Sequence, residues 1–121
     1  MSVSTKNERI GRAWLDAFNA HDVDRLVALY AEDATHTSPK IRVLHPGTGG
    51  QLRGRAALKA WWQDANRRIP DLRYELVTLT ASDERVFLEY VRHAPAEEPM
   101  PVAEVFEVRR DQIVASRVYH G

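Results

Sequence analysis

His36 and Ser38 stand two residues apart at the end of a short extended segment, just before Pro39. Side chains two apart share one face of a strand, so an inward Ser38 brings His36 inward with it. A second row of this kind is Val102, Glu104, Phe106 and Val108; if Glu104 faces inward, its apolar neighbours do too. Hydroxyl, imidazole and carboxylate groups can position oxygens and move protons. The chain has no cysteine, so disulfides, thiolate catalysis and thiolate metal sites are absent. The run His45-Pro46-Gly47-Thr48-Gly49-Gly50 is glycine-rich but lacks the Gly-Lys-Ser/Thr ending of a phosphate-binding loop. Residues 40–53 read as a flexible surface loop, with a lid over a pocket as the alternative.

Periodicity indicates the elements that must hold these groups. Thr5 and Glu8 have the spacing of a capping box. Ile10, Ala13, Trp14, Ala17 and Phe18 make one apolar helical face, so a first helix is predicted over about 6–20. Asp22 is a good N-cap for a second helix carrying Leu26, Val27, Leu29 and Tyr30. Ala34 to Ser38 reads as a short strand closed by Pro39. A third helix starts near Arg55, with Leu58, Trp61, Trp62, Ala65 and Ile69 on one side and Pro70 as its stop. Four strands follow, at about 72–81, 84–94, 101–109 and 112–120, with Ser82-Asp83 and Arg110-Asp111 as hairpin connections. Strand 84–94 has two open registers: Leu88, Tyr90 and Arg92 inward, or Glu89, Val91 and His93. Helices followed by an antiparallel meander form an α+β pattern, and one domain over residues 1–121 is predicted.

Apolar residues make up 44% and charged residues 28% of the chain, the balance of a globular protein. Seventeen basic and seventeen acidic residues cancel. This argues against a dedicated nucleic-acid or anionic-membrane binder. The first nine residues lack the apolar core of a signal peptide, and no apolar run approaches the ~20 residues of a membrane span; a cytoplasmic location is the expectation.

Three pieces in order carry a family likeness: Phe18-Asn19-Ala20-His21-Asp22, Leu29-Tyr30-Ala31-Glu32-Asp33-Ala34-Thr35, and Gly54-Arg55-Ala56-Ala57-Leu58. With four strands after them, the chain resembles the nuclear transport factor two-like superfamily, including the SnoaL-like proteins and the ketosteroid isomerases. The resemblance implies a cystatin-like, ketosteroid isomerase-like α+β barrel: a strongly bent sheet wrapped around the first of three helices, enclosing a conical pocket. It does not imply one function, because this fold hosts isomerases, cyclases, hydrolases, dehydratases and non-catalytic proteins.

In the isomerase pattern the aspartate base falls at Ser38 and the tyrosine oxyanion donor at Trp14. Two supporting aromatics fall at Tyr30 and Trp62, and the second acid at Glu104. Serine cannot take a carbon-bound proton unaided near neutral pH, and an indole donates a hydrogen bond without releasing its proton. The usual steroid isomerase mechanism is therefore not expected.

The resemblance also turns Val114, Ser116, Val118 and His120 of the last strand inward. The implied cone is apolar and aromatic, with Glu104, His36, His120, Ser38 and Ser116 as its polar groups. Among Val102, Phe106 and Trp14, the Glu104 carboxylate would lose hydration and its pKa would rise toward neutrality. Glu104 is then a base or a neutral acid donor, with His120 or His36 as its partner. The structural alternatives are a glutamate satisfied by Trp14 or a strand neighbour, and histidines satisfied in the core or at the rim. Two histidines and a glutamate also form a conceivable metal triad, but without the close spacing of a known motif, so neither metal nor cofactor is expected. His21, His45 and His93 read as solvent-facing or loop residues.

The outer sheet face should carry Val105, Glu107, Ile113, Ala115, Arg117 and Tyr119, and a homodimer through it is implied. Three functions compete. One is a cofactor-independent isomerase, cyclase or dehydratase acting on a small apolar molecule, with Glu104 and a histidine moving protons and Trp14 and Ser38 positioning an oxygen. The second is a non-catalytic binding protein using the same cone, lined by Trp14, Tyr30, Trp62, Phe106, Ser116 and Val118. The third is a dimerisation module whose cone is filled by its own side chains.

Overall fold

Residue Ser2, not the Thr5–Glu8 pair, starts the first helix. In a computed structural model that describes residues 2–121, Ser2 Oγ accepts the Thr5 N–H and α1 runs Val3–Asn19. Its buried stripe is Asn7, Gly11, Trp14, Ala17 and Phe18, spaced as one helical face. Ile10 and Ala13, expected on that stripe, are only half-buried. Asn7 and Gly11 take the inner positions because the sheet comes close there. A methyl group on Gly11 would lie 2.8 Å from Val86 and 2.9 Å from Leu79.

The Phe18–Asp22 piece is a junction. Asn19 pairs with the Tyr74 backbone, accepting its N–H at 2.8 Å and donating to its carbonyl at 2.8 Å. His21 lies in the turn between the two helices, as the loop reading expects, and it is half-buried, with its Nε2 2.7 Å from the Leu72 carbonyl oxygen. Asp22 caps α2 (Val23–Val27), as the sequence predicts. The second helix is shorter than expected, and Tyr30 opens β1 (Tyr30–Thr37).

Pro39 does not simply close that strand. Ser38 Oγ accepts the Lys40 N–H, and α3 spans Pro39–Leu44. Serine followed by proline is also a good helix start, because proline at the first helical position has no N–H to satisfy. The predicted loop thus holds α3, a 3-10 turn at Pro46–Thr48 and strand β2 (Gln51–Arg53). With α4 (Arg55–Arg68) the α-helices among the described residues number four, not three. Gly54 precedes α4 with φ at 93°, where a side chain would be strained. Arg55 fixes the start of β1 by donating from Nε and Nη2 to the Tyr30 carbonyl at 2.8 and 2.6 Å.

The meander follows as β3 (Arg73–Ala81), β4 (Arg85–His93), β5 (Met100–Arg109) and β6 (Gln112–His120). Arg110 and Asp111 both have positive φ, which suits a two-residue hairpin turn. Sheet order is β2-β1-β6-β5-β4-β3, with β1 parallel to β6 and every other pair antiparallel. The sheet is open, with β2 and β3 as its edges, so "barrel" describes its curvature and not a closed ring. Among the described residues, no helix is long and apolar enough to cross a membrane.

β4 turns Val86, Leu88, Tyr90 and Arg92 inward, which settles its register. A bulge between Glu107 and Val108 shifts the end of the β5–β6 pairing, so that Val108 meets Ile113. This overturns one expectation: Ile113, placed on the outer face from alternation, is 0% exposed and lies in the core. Val114, expected inward, is half-buried and outside the core. Only beyond the bulge does the alternation hold, with Ser116 buried.

Candidate active site

Three rows of side chains cross the inner face of the sheet. His36, Ser116 and Phe106 form the deepest, because Ser116 pairs with both others. Ser38, Val118 and Glu104 follow, and Val102 with His120 lies toward the rim. Trp14 of α1 and Trp61 and Trp62 of α4 cover these rows. The cavity left between them is about 180 Å³, a little more than the roughly 150 Å³ that holds a benzene molecule. Trp14, His36, Ser38, Trp62, Glu104, Val118 and His120 all line it. Tyr30, Phe106 and Ser116 lie behind the wall instead, fully buried, because they belong to the closed end of the cone.

Glu104 is 2% exposed. Its Oε1 accepts the Tyr90 hydroxyl at 2.8 Å, and its Oε2 has no hydrogen-bond partner. Burial opposes the ionised form and pushes the pKa up to about 8, against the lowering effect of the Tyr90 bond. Burial, then the Glu104 charge, also raise the Tyr90, Tyr74 and Tyr30 hydroxyls. Neither histidine bonds Glu104. A strand neighbour, Tyr90, meets one carboxyl oxygen and leaves the other without a partner.

His36 enters a separate chain of hydrogen bonds. Trp14 Nε1 donates to Tyr30 Oη at 3.1 Å. Tyr30 Oη lies 2.9 Å from Ser116 Oγ, which is 2.6 Å from His36 Nδ1. Either direction is compatible with the Trp14 bond, and the order in which every hydroxyl proton finds an acceptor passes the Tyr30 proton to Ser116 and the Ser116 proton to His36 Nδ1. Burial lowers the His36 pKa to about 3. The ring is therefore neutral, and that hydrogen-bond order puts its hydrogen on Nε2, which has no protein partner among the described residues. Ser38 Oγ accepts at the helix cap and keeps its own proton free. The Trp14 N–H is committed to Tyr30, so it does not position an oxygen in the cavity, and Trp14 contributes its ring face.

At the rim, burial and then the charges of Lys40 and Arg92 hold the His120 pKa below its ordinary value. The remaining lining includes Tyr74, Tyr90, Arg92, Lys40, Arg68 and Glu97, which the sequence reading did not select. Tyr90 and Arg92 belonged to one of its two β4 registers. Tyr74 carried no alternation signal; it stacks between Phe18 at 3.8 Å and Tyr90 at 4.1 Å. Among the described residues, no group of three His, Asp or Glu side chains is placed to hold a metal ion.

A SnoaL-like protein of unknown function from Burkholderia thailandensis superposes with a TM-score of 0.85 at 30% identity, over 97% of this chain and 96% of that one. A protein from Kribbella flavida, proposed to be a ketosteroid isomerase, gives 0.81 at 18% identity over 98% and 79%. Another from Sinorhizobium meliloti, proposed to be a polyketide cyclase, gives 0.78 at 18% over 92% and 94%. The latter two likenesses are of fold. No curated protein matches the sequence. The SnoaL-like domain family matches residues 11–116, and the chain belongs to that family.

Proposed function

We propose that this protein binds a compact, largely apolar molecule of single-ring size and acts on it by proton transfer, with Glu104 as the acid–base group. The observation that carries the reading is a buried carboxyl on the wall of an open cavity, with one oxygen unpartnered. A carboxylate with a pKa near 8 is a much stronger base than an ordinary one, and its acid form is still present at neutral pH. Tyr90 steadies its charged form. The Nε2–H of His36 and the hydroxyl proton of Ser38 supply two donors for an oxygen on which charge develops. A filled interaction module is disfavoured by the cavity itself, and four fused rings exceed its volume.

Deuterium exchange at the carbon next to the carbonyl of single-ring ketones in D2O, followed by NMR, tests the reading. Exchange is expected with the wild type and is lost in Glu104→Gln, while ligand binding persists. Equal rates in the two proteins would remove Glu104 from the chemistry.

A second copy of the chain is the proposed partner of the outer sheet face. Phe87 and Tyr119 are exposed there, beside Arg85, Arg117 and Glu107, which pair with one another. An apolar patch with both charge signs can meet its own copy. Sedimentation showing only monomer at micromolar concentration would overturn this.

A further inference from the structure

The mouth of the cavity carries more positive charge than its surroundings require. Arg92 is 7% exposed and lines the cavity. Its one protein partner among the described residues is Glu97, bonded from Nη1 to Oε1 at 2.9 Å. A guanidinium has five N–H donors, so four of them are left. Lys40 and Arg68 line the same mouth, beside the His120 ring, whose lowered pKa leaves it without charge at neutral pH. Asp64 pairs with Arg68 and also with Arg67. Lys40 has no carboxylate partner among the described residues. The whole chain has zero net charge, so this excess is local.

Glu97 differs from its partner in burial. Its side chain is 46% exposed, against 8% for Arg92. A half-exposed surface carboxylate therefore meets one donor of a buried guanidinium. The geometry points to Arg92 as the anchor for a carboxylate on the ligand, with Glu97 holding that position while the cavity is empty. This assigns the substrate class as a small ring acid, and it rests on the reading of the cavity as a small-molecule site. Arg92 lies four residues along β4 from Leu88, which pairs with Glu104; that is about 13 Å of strand. Both side chains line the one cavity, so a ring whose carboxylate is held by Arg92 extends from the mouth toward Glu104. The acid group sits at the mouth, and the opposite ring carbon faces Glu104.

All three tryptophans line the cavity, so their fluorescence reports occupancy, and calorimetry gives the affinity. The probes are cyclohexanecarboxylate and its neutral isostere cyclohexanecarboxamide, with the intact protein. The carboxylate is expected to bind about tenfold more tightly or better, since charge-assisted bonds exceed neutral ones by that much. Arg92→Gln should erase the preference and leave the amide affinity within about twofold. Glu97→Gln, at a half-exposed site where folding is not at risk, should tighten the carboxylate alone by removing its competitor. Equal binding of the two probes to the wild type overturns the anchor and leaves the cavity reading standing. Binding of neither at millimolar concentration also overturns it. Preference for the carboxylate together with unchanged exchange in Glu104→Gln keeps the anchor and sinks the proposed chemistry.

Discussion

Replacing Glu104 with glutamine should change how stability depends on pH, in a window set by two buried groups. The Glu104 pKa is about 8 in the fold, against 4.5 ordinarily. A raised acid keeps its proton in the native state where the unfolded chain has lost it. Its contribution is fully present below about pH 4.5, declines by about 1.4 kcal/mol per pH unit, and is gone above about pH 8. His36 has the opposite sign. Its pKa falls from 6.5 to about 3, so between those values the unfolded chain binds the extra proton and stability rises with pH. From about pH 4.5 to 6.5 the two slopes cancel. Above 6.5 the histidine term soon saturates and Glu104 dominates, giving a loss of about 1.3 kcal/mol between pH 6.5 and 8. His120, also lowered, adds to the histidine side of the balance and leaves the upper window untouched. Urea unfolding at intervals across pH 6.5–8 should show this decline in the wild type and a flat line in Glu104→Gln, which retains the acceptor for Tyr90. Below pH 6.5 the variant should lose stability as pH falls, through the uncancelled His36. Parallel curves for the two proteins in the upper window would refute the reasoning.

Other substitutions test the framework around the site. Ser116→Ala should cost about 3 kcal/mol in chemical denaturation, because it leaves the Tyr30 hydroxyl proton without an acceptor and His36 Nδ1 buried without a partner. Gly11→Ala gains about 1 kcal/mol of helix propensity. It forces a methyl against Val86 and Leu79, costing about 1–3 kcal/mol, so a net loss near 1 kcal/mol is expected in the same assay, and a more stable variant would contradict the packing. Ile113→Ala should cost about 2–5 kcal/mol and Val114→Ala under about 1; the reverse order would contradict the bulge-shifted register.

Much of the fold was legible because its signals are local. The Asp22 cap, the tryptophan face of α4 and the Arg110-Asp111 turn each specify one element without help from elsewhere. Ser38-Pro39 was misread because the pair has two meanings: an end to extended chain and a start to helix. Only the space beside β2 and β6 selects the second. Ile113 was misplaced because a bulge between Glu107 and Val108 resets alternation, and no residue type there announces it. The side chains at the cavity were partly legible. Position along the strands put Glu104, His36 and Ser38 on one face, and the register does so in the structure. Their partners were not legible, since hydrogen bonds such as Tyr90 to Glu104 and Ser116 to His36 join strands whose relative stagger only the folded sheet fixes. Arg92 was legible only as part of one of two registers, and its pairing with Glu97 was not, because a charged pair at a strand end normally belongs to the surface, whereas here the arginine is drawn under the rim.

The pH profile of the exchange reaction tests the central claim most directly. The rate that matters is the difference between wild type and Glu104→Gln, which removes exchange catalysed by solvent hydroxide. If Glu104 is the base, only its ionised form is active. The difference should then rise about tenfold per pH unit and level off near pH 8, following the carboxyl pKa of about 8. A difference already level by about pH 5.5, or no difference at any pH, would contradict the account.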